Sequence, residues 1–282
     1  MTTTGDPATS DGRSAAPATG PDRAPTIAVP PVVRRLTAEL TGTAFLVAGV
    51  VGSGIMAERL TDDRGLQLLQ NTAATAGVLV ALILALGPAS GAHFNPAVTL
   101  VDRIFGGLDT PTAAGYVVAQ VTGGTLGAVA ANLMFDLPPV EWSTTERAAG
   151  YLWFAEGVAT LGLLVVIFGV VRSGRSAAAA VAVGGYIAGA YYFTSSTSFA
   201  NPAVTVGRAF SDTFAGIEPA SVPMFVVAQL AGAAVATGLI LVIYPHVGEV
   251  ADRVLVPYEP HVPHGPAEPD GPGEPPVSPS GR

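Results

Sequence analysis

The chain has 282 residues, of which 49% are hydrophobic and only 12% charged. With apolar stretches of about 20 residues, that balance excludes an ordinary soluble domain and indicates a polytopic membrane protein. The absence of cysteine rules out a disulfide framework and a thiolate metal site. The formal charge of −8 is concentrated in the tails and a few loops, so it says little about partners, and no nucleic acid is expected among them.

Residues 1–33 are rich in Thr, Ala, Gly, Pro and Asp and carry too little apolar surface to offset the entropy of ordering, so a disordered tail is expected. No short apolar core with a cleavage site lies there, so no secretory signal is expected. The first span is predicted from about Leu36 to Ala57, after Arg34 and Arg35, with the carboxylate Glu39 near its start. A second span, about Leu68 to Leu86, is expected to end at Gly87-Pro88. Ser90-Gly91-Ala92-His93 then leads to Asn95-Pro96-Ala97. Asn caps free backbone N–H groups and Pro, lacking one, fits the first helical position, so a helix starts here. It is predicted over 96–105, about 15 Å, which is half of a hydrocarbon core of about 30 Å. A third span follows from about Ala113 to Phe135, then a polar loop over 136–148.

The second half repeats the first. Ala155-Glu156 with Thr160 echoes Ala38-Glu39 with Thr43, and Val226-Val227-Ala228-Gln229 with Gly232 echoes Val117-Val118-Ala119-Gln120 with Gly123. Asn201-Pro202-Ala203 stands 106 positions after the first box. Spans four to six are predicted at about 149–171, 177–193 and 222–244, with a second half-helix near 202–210. Three spans per unit is odd, so the repeats, 34–135 and 149–247, are inverted. Arg34, Arg35, Arg172, Arg175 and Arg253 then fall on one side and Arg59, Arg64, Arg147 and Arg208 on the other, a bias that favours cytoplasmic termini. Residues 248–282 are Pro-rich and acidic and are expected to be disordered.

Inverted units set the two helix starts opposite each other near the midplane. Non-helical backbone at that depth is tolerated only where it lines a wet cavity or is buried in protein, so a lumen is expected. Each half-helix start carries about half a positive elementary charge, a field that opposes cations and protons. The Asn95 and Asn201 amides can donate to a passing oxygen, and a neutral hydroxylated molecule can trade hydration for such bonds. The expected fold is therefore an all-α membrane protein of six transmembrane helices and two re-entrant half-helices.

The paired Asn-Pro-Ala boxes, Ser90-Gly91-Ala92-His93-Phe94, the two Ala-Glu-x-x-x-Thr starts and the repeated Gln resemble the aquaporin and glycerol-facilitator family over about 34–247. The resemblance implies a passive channel, a homotetramer with one pore per subunit, a multi-pass position in the cell membrane, no cofactor and no enzymatic activity. It also implies a filter of four residues, which the family's offsets place at Thr75, Gly189, Ser198 and Val204. Val204 stands where the family usually has Arg. That ring is small and uncharged, without guanidinium or aromatic walls, and resembles a subset associated with arsenic and other metalloids. The implied solutes are glycerol, urea, arsenous acid or methylated arsenicals along with water. The resemblance assigns Glu39 and Glu156 to accepting bonds from the re-entrant backbone, and gives His93 a structural or vestibule-lining role. Gln120 and Gln229 are expected to pack between spans beside Gly123 and Gly232. Gly124, Gly127, Gly184, Gly185 and Gly189 are likewise read as allowing close helix contact. Arg208, one turn past Val204 on the same face, is a candidate to substitute in part for the missing filter Arg, but the rise of about 6 Å along the helix favours a place at the outer mouth or a pair with Asp212. The alternatives are a strict water channel narrowed by other residues, and a secondary transporter built on inverted repeats.

Overall fold

The computed structural model describes residues 1–2, 30–173, 175 and 178–244. The expected tails lie almost wholly outside the described residues, as do Arg253 and the side chain of Arg172. Among the described residues eight α-helices run in order: α1 Val32–Leu60, α2 Arg64–Ser90, α3 Pro96–Phe105, α4 Thr110–Met134, α5 Gly150–Arg172, α6 Ala179–Phe193, α7 Pro202–Arg208 and α8 Val222–Ile243. Among the described residues α1, α2, α4, α5 and α8 are long and apolar enough to cross a membrane, and α6 is a shorter apolar helix. With the half-helices α3 and α7, this is the six-span, two-half-helix architecture the repeat implies.

Local chemistry sets most helix ends. The Asp63 carboxylate accepts the Gly65 and Leu66 N–H groups at 2.8 and 3.0 Å and starts α2. Asp109 accepts the Thr112 N–H at 2.7 Å and starts α4, a bond that holds its carboxyl below the ordinary carboxylate range. Asn95 and Asn201 cap α3 and α7, with Pro next in each. One boundary differs from expectation. α2 runs through Pro88 and stops only at Gly91, whose left-handed backbone (φ 89°) returns its N–H to Gly87. A proline in the last turn forfeits a single bond, to the carbonyl four residues back, so it does not end the helix; the glycine cap does.

The packing follows the duplication. α1 lies along α4, and α5 along α8, the equivalent pair, while α2 contacts α6 across the units. α3 reaches α8, and α7 reaches α4, so each half-helix rests on the last helix of the other unit. Small residues permit this approach. A Cβ at Gly123 or Gly127 would overlap the Leu40 or Ala44 carbonyl of α1, and one at Gly232 the Gly157 carbonyl of α5. A Cβ at Gly124 would come 2.8 Å from the Ala203 carbonyl, so this glycine admits α7. Gly185 and Gly189 do not serve close contact, since a Cβ at either meets nothing within 4 Å. Gly127→Leu is therefore expected to cost about 3 kcal/mol by forcing α1 from α4. Gly77→Ala, where a Cβ meets open space, should leave the thermal midpoint in detergent unchanged or slightly higher.

Candidate functional site

The link segments before α3 and α7 have no helical partner for their backbone, and one buried carboxylate serves each. Glu39 of α1 accepts the His93 N–H at 3.0 Å and the Phe94 N–H at 2.7 Å, together with the Ser90 hydroxyl at 2.6 Å. Glu156 of α5 accepts the Phe199 N–H at 2.9 Å and the Ala200 N–H at 2.8 Å. Both are fully buried. Neighbouring N–H groups point the same way because left-handed residues recur three and one positions before each box Asn: Ala92 and Phe94 (φ 50° and 48°), then Ser198 and Ala200 (φ 49° and 47°). Such backbone is strained in non-glycine residues, and the carboxylates hold it in place. Each carboxylate is in turn bound by a glutamine that also holds its half-helix. Gln120 Nε2 donates to Glu39 at 2.7 Å and to the Thr99 hydroxyl at 2.9 Å. Gln229 Nε2 donates to Glu156 at 2.6 Å and to the Thr205 hydroxyl at 2.8 Å. The glutamines pack between spans and do not line the lumen.

The two box asparagines lock the units together. Asn95 Nδ2 donates to the Ala200 carbonyl at 2.8 Å, and Asn201 Nδ2 to the Phe94 carbonyl at 2.7 Å. Their Oδ1 atoms accept the Ala97 and Ala203 N–H groups, each at 2.9 Å. Each amide thus keeps one N–H for the cavity it borders. That cavity, of about 60 Å³, has room for a short file of waters. Its polar lining includes His93, Asn95, Asn201, Thr75 and Ser198, set among aliphatic residues such as Leu46, Ile83 and Ile167. It opens at one end toward a wider vestibule of about 440 Å³ bordered by Glu58, Arg64, Arg147 and Asp212.

Three of the four expected filter residues, Thr75, Ser198 and Val204, come together on this lining. Gly189 does not: it is exposed on the outside of α6. Two residues farther on, Tyr191 takes the α6 position in the wall, and its hydroxyl donates to Thr75 at 3.3 Å. The ring is also not free of aromatic and guanidinium groups. Phe199 and Arg208 line the same end, with Arg208 Cζ 3.4 Å from the Phe199 ring centroid and its Nε bonded to the Ala215 carbonyl. Asp212 does not pair with Arg208, because Thr144 takes its carboxylate through N–H and hydroxyl. Arg147, from the loop before α5, lies 4.9 Å from the Phe199 centroid and donates to the Gly216 carbonyl at 3.1 Å. Burial holds its guanidinium below the usual arginine range.

The family profile described as Major intrinsic protein matches residues 27–188. The chain belongs to the major intrinsic protein family. It is 51% identical over 208 residues to the aquaglyceroporin AqpS of Rhizobium meliloti (strain 1021), covering 74% of this chain and 89% of that protein. It is 31% identical over 209 residues to aquaporin NIP1-4 of Oryza sativa subsp. japonica, covering 72% and 74%. Among solved structures, the aquaglyceroporin from Plasmodium falciparum shares the fold, with a TM-score of 0.61 at 21% identity over 77% of this chain and 99% of that one.

In this major intrinsic protein the two ends of the lumen differ. The end opposite the vestibule carries His93, whose Nδ1 lies 3.0 Å from the Thr99 hydroxyl and whose ring meets Tyr116 edge-on. Tyr116 in turn donates to the Ser90 carbonyl at 2.7 Å and accepts from Arg35 at 2.9 Å, so His93 is both wedged and lining. Sequence reasoning missed Tyr191, Phe199 and the bonds of Thr99 and Thr205. The matching Thr at the fourth position after each box Asn was the signal available for the last two. Removing Glu39 would strand four donors, and removing Glu156 three. Glu39→Ala is therefore expected to lose more stability than Glu156→Ala, each by several kcal/mol at about 1–3 per stranded group. Thermal unfolding in detergent reads the order, and equal losses would contradict it.

Proposed function

We propose that the chain is a passive transmembrane channel for water and small neutral solutes such as glycerol, working through residues 34–247. The observation that carries this reading is the pair of half-helices whose box asparagines bond reciprocally beside a narrow polar-striped lumen. As known for aquaporin-type pores, selectivity there comes from pore diameter, lining groups and half-helix dipoles. A neutral solute exchanges its hydration for the Asn95 and Asn201 amides and the link carbonyls, while the aliphatic wall gives an ion nothing comparable. Pro96, Ala97, Pro202 and Ala203 set the two helix starts that present those amides.

Thr75, Ser198 and Val204 are the residues proposed to set the outer constriction. Val204 is smaller than an arginine and uncharged, which supports passage of solutes larger than water; the aquaglyceroporin relative extends the candidates to glycerol, with urea and neutral arsenicals in the same class. The strict-water reading draws on one observation, the ring of Tyr191, Phe199 and Arg208 at the same end. The transporter reading is disfavoured because Glu39 and Glu156 are fully engaged with backbone and glutamine donors and border no lumen. Assembly as a homotetramer in the cell membrane with cytoplasmic termini completes the proposal. Stopped-flow light scattering on proteoliposomes tests it. Val204→Arg should reduce glycerol permeability about tenfold or more while water flux persists, and a wild type that passes water but not glycerol would favour the strict water pore.

A further inference from the structure

The two units carry different pairs at equivalent positions, two before the box Asn and seven after it. In the first unit these are His93 and Asp102, and in the second Phe199 and Arg208. In both, the later side chain returns along its half-helix to the earlier one. His93 Nε2 lies 3.6 Å from Asp102 Oδ2, and Arg208 Cζ lies 3.4 Å from the Phe199 centroid. The cause is general: side chains on a helix lean toward its N-terminus, covering the preceding turn. Arg208 Cα stands about 6 Å beyond Val204 along the helix, yet its head lies back on the Phe199 ring.

We infer that Arg208 is a specificity-determining residue of the outer constriction, supplying from one turn farther out the guanidinium that position 204 lacks. This rests on the channel reading. Arg208 is 2% exposed and borders both the lumen and the vestibule. The Ala215 carbonyl holds the Nε of its guanidinium, and the Phe199 ring packs against its Cζ. Among the described residues its two terminal nitrogens make no hydrogen bond, so they are available to solute hydroxyls. A planar fork packed against an aromatic ring is a pre-organised donor, and its charge adds to the rejection of cations. With the Tyr191 and Thr75 hydroxyls on the same lining, the passage offers donors and acceptors from α2, α6 and α7. Val204 leaves the width for a glycerol-sized solute, and Arg208 sets its upper limit.

The test uses the full-length protein in proteoliposomes of a defined phosphatidylethanolamine and phosphatidylglycerol mixture, with glycerol and erythritol as probes and a sodium-leak assay alongside. Arg208→Leu is expected to raise the erythritol-to-glycerol permeability ratio about tenfold, the scale of one lost charge-assisted contact, and to admit a measurable sodium leak. Arg208→Lys keeps the charge and a donor for the Ala215 carbonyl but loses the planar fork. It keeps the measurement decisive if leucine impairs assembly, and it should raise the ratio about threefold with no sodium leak. A wild-type ratio in either assembled variant overturns the inference. Absence of both water and glycerol flux in the wild type would instead overturn the channel reading beneath it, and water flux without glycerol flux would leave the strict water pore.

Discussion

The structure depends on two buried carboxylates that satisfy backbone which lipid cannot. A segment that stops being helical inside a bilayer leaves N–H groups without partners, at a cost of several kcal/mol for each. Glu39 and Glu156 each collect two consecutive N–H groups of a link segment, and Gln120 and Gln229 fix the carboxylates from behind. With the N–H groups gathered to one side, the link can hold its left-handed residues, and its half-helix can start near the middle of the bundle. Without that bracket neither Asn95 nor Asn201 would face the lumen.

Two copies of the bracket turned against each other produce the pore. The reciprocal bonds from Asn95 to Ala200 and from Asn201 to Phe94 join the units at their most strained points, so each half-helix is held by the other's backbone. Glycines do the matching work between helices: Gly124 admits α7, and Gly123, Gly127 and Gly232 bring long helices within carbonyl contact. The symmetry is of backbone and bracket, not of surface. One end is lined by His93, packed against Tyr116 and near Asp102, and the other by Phe199, Arg208 and Tyr191. A single duplicated scaffold thus carries two chemically distinct mouths.

Much of this was legible in the sequence because it is encoded by local rules. The first half-helix falls at 96–105 as expected, since Asn caps and Pro starts it, while for Glu39 and Glu156 the residues themselves marked only two buried carboxylates, and their role was implied by the family resemblance. What was not legible depends on side-chain direction and loop length. Gly189 was reached by counting a fixed offset back from Asn201, which depends on the length of the link between α6 and the box, and the wall residue is Tyr191, two positions later. Arg208 was placed by its Cα rise alone, which ignores the lean of helical side chains toward the N-terminus. The left-handed Ala92, Phe94, Ser198 and Ala200 carry no glycine to announce them. Pro88 suggested a helix end that Gly91 in fact supplies.

The measurement that bears most directly on the account is the concentration dependence of glycerol flux through the purified wild-type protein in sealed vesicles. A passive pore predicts flux that rises in proportion to the gradient, with no saturation, and that is unchanged when proton and sodium gradients are collapsed. Flux that saturates at low concentration, or that stops when the ion gradients are removed, would contradict the channel and point to alternating access.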